Sequence, residues 1–108
     1  MKGNEYQRLA MRTVETDESE SLLVNGVMGL NGEAGECIDI VKKWMFQGHE
    51  IEREKFIDEL GDVAWYLAIA AYAVECPLED VLIRNIEKLK KRYPDGFEAA
   101  KSINRCEG

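Results

Sequence analysis

Two pairs of carboxylates, Glu33/Glu36 and Glu59/Asp62, stand at i,i+3 spacing inside otherwise apolar stretches. Acidic side chains three apart on a helix lie on nearly one face, about one turn from each other. Carboxylates cannot be buried cheaply without compensation, so on a core face they must protonate or meet a cation. The economical solution is a pair of facing helices whose four carboxylates converge on one metal ion. That requirement constrains the fold more than any other feature of the chain.

The rest of the sequence supplies such helices. Leu23, Val27, Leu30, Ala34, Ile38, Val41 and Met45 repeat at helical spacing and predict one long helix from Ser19 to Phe46. A second, weaker stripe follows Leu22, Gly29, Glu33, Glu36, Ile40 and Trp44. A helix apolar on two sides is expected to pack on two sides, which points to an intimate dimer. Gly26, Gly29, Gly32 and Gly35 surround the first acidic pair and predict close approach of another backbone or a ligand, with a local helix break as the alternative.

A first helix is expected from Asn4 to about Val14, and the polar segment 16–21 is rich in capping residues suited to starting the second helix. Residues 47–52, with Gly48 and the lone His49, read as a loop. A third helix is expected from Arg53 to Glu75, with Glu59 and Asp62 on the same face as Phe56, Val63, Tyr66 and Ala70. Pro77 introduces a fourth helix, Leu78 to Arg92, with Leu78, Leu82, Ile86, Leu89 and Tyr93 facing inward and Asn85, Lys88 and Arg92 in an adjacent polar row. Pro94-Asp95-Gly96 is a turn, and Phe97 to Asn104 is a candidate closing helix. The expectation is an all-α bundle of four to five helices forming a single domain over residues 1–108.

Charge narrows the function classes. The net charge of −7 disfavours a nucleic-acid polymer as partner. Residues 1–83 hold 17 acidic against 7 basic side chains, a net of −10, whereas residues 84–105 carry a net of +4. An acidic body with a basic C-terminal segment suits a small anion that arrives with a divalent cation. The longest apolar run, Val63 to Val74, is 12 residues and too short to cross a bilayer. With no apolar leader at the start and three unpaired cysteines, Cys37, Cys76 and Cys106, a reducing cytoplasm is the expected compartment.

All-oxygen ligation favours Mg²⁺ over zinc, with Mn²⁺ as a substitute. No Ser/His/Asp arrangement is legible, and Cys37 has no histidine near it in sequence. Trp44, Trp65 and Tyr66 read as core aromatics, and Lys42 and Lys43 as a solvated helix end within reach of a phosphate.

These residues carry a resemblance. Residues 29–36 (GLNGEAGE) followed by residues 59–63 (ELGDV) resemble the EExxE…ExxD signature of the MazG-like nucleoside triphosphate pyrophosphohydrolases. The loop at residues 47–50 (QGHE), followed by 53–55 (REK), is similar to that of the small single-domain members. So are Glu5-Tyr6-Gln7, Asn85-Ile86-Glu87-Lys88-Leu89 and residues 92–97 (RYPDGF). One position departs: Gly32 stands where the first glutamate of EExxE belongs.

The resemblance implies an all-α fold assembled as a homodimer or homotetramer, with sites completed near subunit contacts. It implies Glu33, Glu36, Glu59 and Asp62 as Mg²⁺ ligands, with Glu36 and Glu59 as the candidate catalytic carboxylates. It gives Asn85, Lys88 and Arg92 a role in holding phosphates or sugar. The implied reaction is hydrolysis of a nucleoside triphosphate, or its deoxy counterpart, to the monophosphate and pyrophosphate, in the service of nucleotide-pool cleaning. Two other readings stay open: a non-catalytic helical interaction or nucleotide-binding module, and a pyrophosphohydrolase of the phosphoribosyl-ATP type.

Overall fold

A computed structural model describes residues 1–15, 18–48 and 50–96. Its four helices are α1 (Gly3–Met11), α2 (Ser19–Phe46), α3 (Arg53–Ala73) and α4 (Leu78–Arg92). Among the described residues there is no strand, and the chain is all-α as expected. Met1–Leu78 forms one compact unit, and the residues from Glu79 onward belong to a second. The expected closing helix and His49 lie outside the described residues.

The α2–α3 hairpin is the frame of the first unit. Leu22 packs with Ile69 and Ala73, Gly26 meets Ala70, and Gly29 meets Tyr66. Positions rising on α2 match positions falling on α3, so the two helices are antiparallel. Continued toward the 47–52 loop, this register sets Glu33 against Glu59 and Asp62. Gly48 opens the loop with φ +69°, a left-handed conformation that glycine adopts without a Cβ penalty.

Of the two apolar sides of α2, one is packed within the chain. Its buried residues are Leu22 and Ile40, which belong to the weaker stripe, and Gly26. The stronger stripe is open: Val27, Ile38 and Met45 are each more than half exposed in the single chain. Periodicity locates apolar faces but does not say which of two a helix uses within its own chain. The glycines divide in the same way. Gly26 and Gly29 permit close approach of α3, while Gly32 and Gly35 have no atom within 4 Å of where a Cβ would stand.

α1 packs on α3 through Ala10 and Ala68, joined by Leu78, with Tyr6, Trp65 and Leu67 around them. Gln7 is the polar pin of this contact. Its Nε2 donates to the carbonyls of Ala68 (3.1 Å) and Cys76 (3.0 Å), and its Oε1 accepts from the Leu78 N–H (3.0 Å). The Trp65 indole N–H donates to Thr13 Oγ1, which itself donates to the Ala10 carbonyl. α1 ends at Met11 rather than Val14, with the Arg12 and Thr13 N–H groups donating to Leu9 and Ala10.

α3 stops at Ala73, two residues before the expected end. Glu75 adopts φ +58°, and the N–H groups of Glu75 and Cys76 close on the carbonyls of Tyr72 and Ala71. This is a Schellman closure with a glutamate where glycine is usual. In α4 the expected bounds hold, but Leu82, Ile86 and Tyr93 are exposed and Leu78 is the buried residue. Of the inward stripe expected there, Leu78 is buried and Leu89 half-buried.

Candidate metal centre

Glu33 on α2 and Glu59 and Asp62 on α3 each bring a carboxylate oxygen to within 4.8 Å of the others. The spacing that placed Glu59 and Asp62 one turn apart sets both toward α2, and the antiparallel register brings Glu33 between them. Glu33 and Glu59 are half-buried, whereas Asp62 is exposed. Glu36, one turn further along α2, is exposed and stands outside this trio. Of the four expected ligands, three therefore converge, with Glu36 as their neighbour.

The electrostatics carry the mark of crowded acid. The Glu33 carboxyl is pushed above the ordinary carboxylate range, first by a side-chain hydrogen bond with Glu59. Desolvation and then the charges of Glu59, Asp62 and Glu36 add to it. Such a site holds protons more readily than it should, and a divalent cation relieves the same repulsion more effectively. The donors are all oxygen, the set preferred by Mg²⁺ or Mn²⁺. The residues present fit a metal of that class.

Two further residues feel this field. Desolvation and then the four surrounding carboxylates push the Cys37 thiol up. The Tyr6 hydroxyl is likewise raised, by burial first and then by the Asp62 charge. Tyr6 belongs to the Glu5-Tyr6-Gln7 run that carries the resemblance, but nothing in sequence relates position 6 to position 62. The ring itself packs against the Ala10–Ala68–Leu78 cluster.

The walls near the cluster are aromatic on one side and basic on the other. Trp65 and Tyr66 meet edge to face, with ring centroids 4.8 Å apart and planes at 82°. A groove of about 530 Å³ runs beside them, with Asn25, Gly29 and Thr13 on its walls. Beyond Glu36 lies a smaller cleft of about 190 Å³, which Lys42, Lys43 and Lys55 line together with Glu36 and Asp39. The α4 row, Asn85, Lys88 and Arg92, is exposed, and it belongs to the second unit. No described helix is long and apolar enough to cross a membrane.

Comparison with known proteins bears on this geometry. The sequence pattern of the family described as MazG nucleotide pyrophosphohydrolase domain matches residues 24–97, which contain all four acids and the α4 row. The chain is also similar to Gene 37 protein of Mycobacterium phage L5. The two are 38% identical over 82 residues, covering 72% of each. No solved structure matches significantly.

Proposed function

Because this chain belongs to the MazG nucleotide pyrophosphohydrolase family, we propose that it hydrolyses a nucleoside or deoxynucleoside triphosphate to the monophosphate and pyrophosphate, with Mg²⁺ as its metal. The observation that carries the proposal is the convergence of Glu33, Glu59 and Asp62 within 4.8 Å. These three would hold the metal, with Glu36 as the neighbouring carboxylate outside the trio. The chemistry a bound Mg²⁺ supplies is neutralisation of phosphate charge and a lowered pKa for an attacking water.

The chain's own residues do the rest. Glu59 faces Glu33 across α2 and α3 and stands close to Asp62, so it is assigned as an essential ligand. Glu36, outside the trio, is the carboxylate left to orient the water and take its proton. The water oxygen bonds to the α-phosphorus as the bond to the bridging oxygen breaks, and pyrophosphate leaves with that electron pair. Asn85, Lys88 and Arg92 share one side of α4 at i, i+3 and i+7 and hold phosphate or sugar. Removal of aberrant nucleotides from the pool is the role in which such a reaction is useful.

The open apolar stripe of α2 supports assembly of the chain as a homodimer or homotetramer. Val27, Ile38 and Met45 form an exposed apolar row on a helix whose other face is already packed. Light scattering on the purified chain tests this, and a monomer at micromolar concentration contradicts it.

A substrate panel tests the reaction. The protein is incubated with ribo- and deoxyribonucleoside triphosphates and with phosphoribosyl-ATP, and pyrophosphate and monophosphate are measured. Pyrophosphate from one or more nucleoside triphosphates is the expected outcome. Release from phosphoribosyl-ATP alone moves the substrate class, and release from none leaves a non-catalytic module.

A further inference from the structure

A cleft of about 600 Å³ opens in the first unit at a distance from the carboxylates. Ser19 at the start of α2 and Tyr72 in the last turn of α3 line it. Asn4 and Gln7 of α1 border it too, with Glu75 and Cys76 of the turn after α3. Tyr72 follows Asp62 by ten residues, about 15 Å along α3, so this cleft is separate from the candidate metal centre. Its volume is in the range of clefts that hold small molecules.

The lining is short of free donors and holds no positive charge. Gln7 is buried, and both N–H groups of its amide are engaged by the carbonyls of Ala68 and Cys76. Its Oε1 accepts from the Leu78 N–H, which leaves a second lone pair as the amide's remaining capacity. The Cys76 thiol donates to the Pro77 carbonyl at 3.5 Å. Neither lysine nor arginine stands among the described lining residues. The last turn of α3 has no basic residue either, so the partial negative charge of that helix end is uncompensated there. Ser19 brings the positive end of α2, which Glu20 in the same turn offsets. The charged group of the cleft is the Glu75 carboxylate, which has no ion-pair partner among the described residues.

Glu75 holds this place against its own backbone. Among the described residues it is the one non-glycine residue with a positive φ, +58°. Glycine closes a helix in this way without the penalty a Cβ brings. Backbone strain of this kind collects where a side chain holds a ligand. We propose that the cleft binds a small organic ammonium ion, with the Glu75 carboxylate as its counter-charge and the Tyr72 ring at its flank. Tyr72 is 46% exposed, so its ring is open to a cation. A bare divalent metal fits less well, because one carboxylate in so wide a cleft cannot surround it with oxygens. The site is independent of the reaction proposed above.

An NMR titration of the ¹⁵N-labelled chain with n-butylammonium chloride, at high Mg²⁺ and fixed ionic strength, tests the proposal. The Mg²⁺ competes with the amine at the acidic trio, and n-butanol is the uncharged counterpart. Saturable shifts are expected at the Gln7 side-chain amide and the backbone amides of residues 72–76, with none of comparable size from n-butanol. Glu75→Gln keeps the shape and removes the charge, so it weakens binding by about fivefold or more. Glu75→Gly loses binding while its stability rises, a split that a purely structural Glu75 does not give. Glu52→Gln, an exposed acid elsewhere, leaves the affinity within about twofold. Absence of saturable shifts at residues 72–76, equal shifts from n-butanol, or unchanged affinity in either Glu75 variant overturns the proposal. So do shifts confined to the surroundings of Glu33 and Glu59.

Discussion

Gly29 on α2 lies directly against the ring of Tyr66 on α3, with no room for a methyl group between them. This contact sits one turn from Glu33 on α2 and one turn from Asp62 on α3. The spacing that brings three carboxylates together thus depends on a residue that has no side chain.

Gly29→Ala forces the Tyr66 ring aside and destabilises the fold by about 1–3 kcal/mol, the usual cost of overpacking. Gly32→Ala and Gly35→Ala meet open space and instead stabilise by about 1 kcal/mol through helix propensity. Urea denaturation of the three variants checks this. A neutral Gly29→Ala contradicts the close approach.

Gln7→Leu removes a side chain that serves three backbone groups at once. The Cys76 carbonyl and the Leu78 N–H are left without it in a buried setting, so a loss of about 2 kcal/mol or more is expected. Denaturation midpoints measure it, and a loss below about 0.5 kcal/mol would show that water replaces the amide.

Glu75→Gly relieves a left-handed residue with a Cβ, at φ +58°. A gain of about 1 kcal/mol is expected, because glycine carries no steric penalty there. Glu75→Val, branched at Cβ, moves the melting temperature the other way.

The raised pKa of Glu33 makes the metal-free protein pH-sensitive. The folded chain keeps the Glu33 proton at pH values where the unfolded chain, near the ordinary 4.5, has released it. The unfolded state then binds fewer protons, so stability falls as pH rises from about that value through the raised pKa. In chelator, Glu33→Gln flattens this part of the melting-temperature profile. Identical profiles for the variant and the wild type contradict the shift.

Much of this architecture was readable from residues alone, for identifiable reasons. The bounds of α2 and α4 follow from uninterrupted helical spacing and from Pro77, and the acidic pairs stand out because charge interrupts an apolar face. The packed side of α2 was not readable, since Leu22–Ile40 and Leu23–Met45 are both apolar and only the partner helix distinguishes them. The end of α3 was missed because Glu75 gives no sign of a left-handed conformation. Tyr6 near Asp62, and Lys55 sharing a cleft with Lys42 and Lys43, are relationships between distant positions that exist only after the helices pack.

On the proposed function, these carboxylates form a metal centre for nucleotide hydrolysis. Pyrophosphate release from the best nucleoside triphosphate, compared for wild type and Glu59→Gln in Mg²⁺ and in EDTA, tests it most directly. The expected result is release by the wild type in Mg²⁺ alone, and a loss of about a hundredfold or more in Glu59→Gln with its helical circular dichroism intact. Undiminished release in EDTA, or by Glu59→Gln, would contradict it.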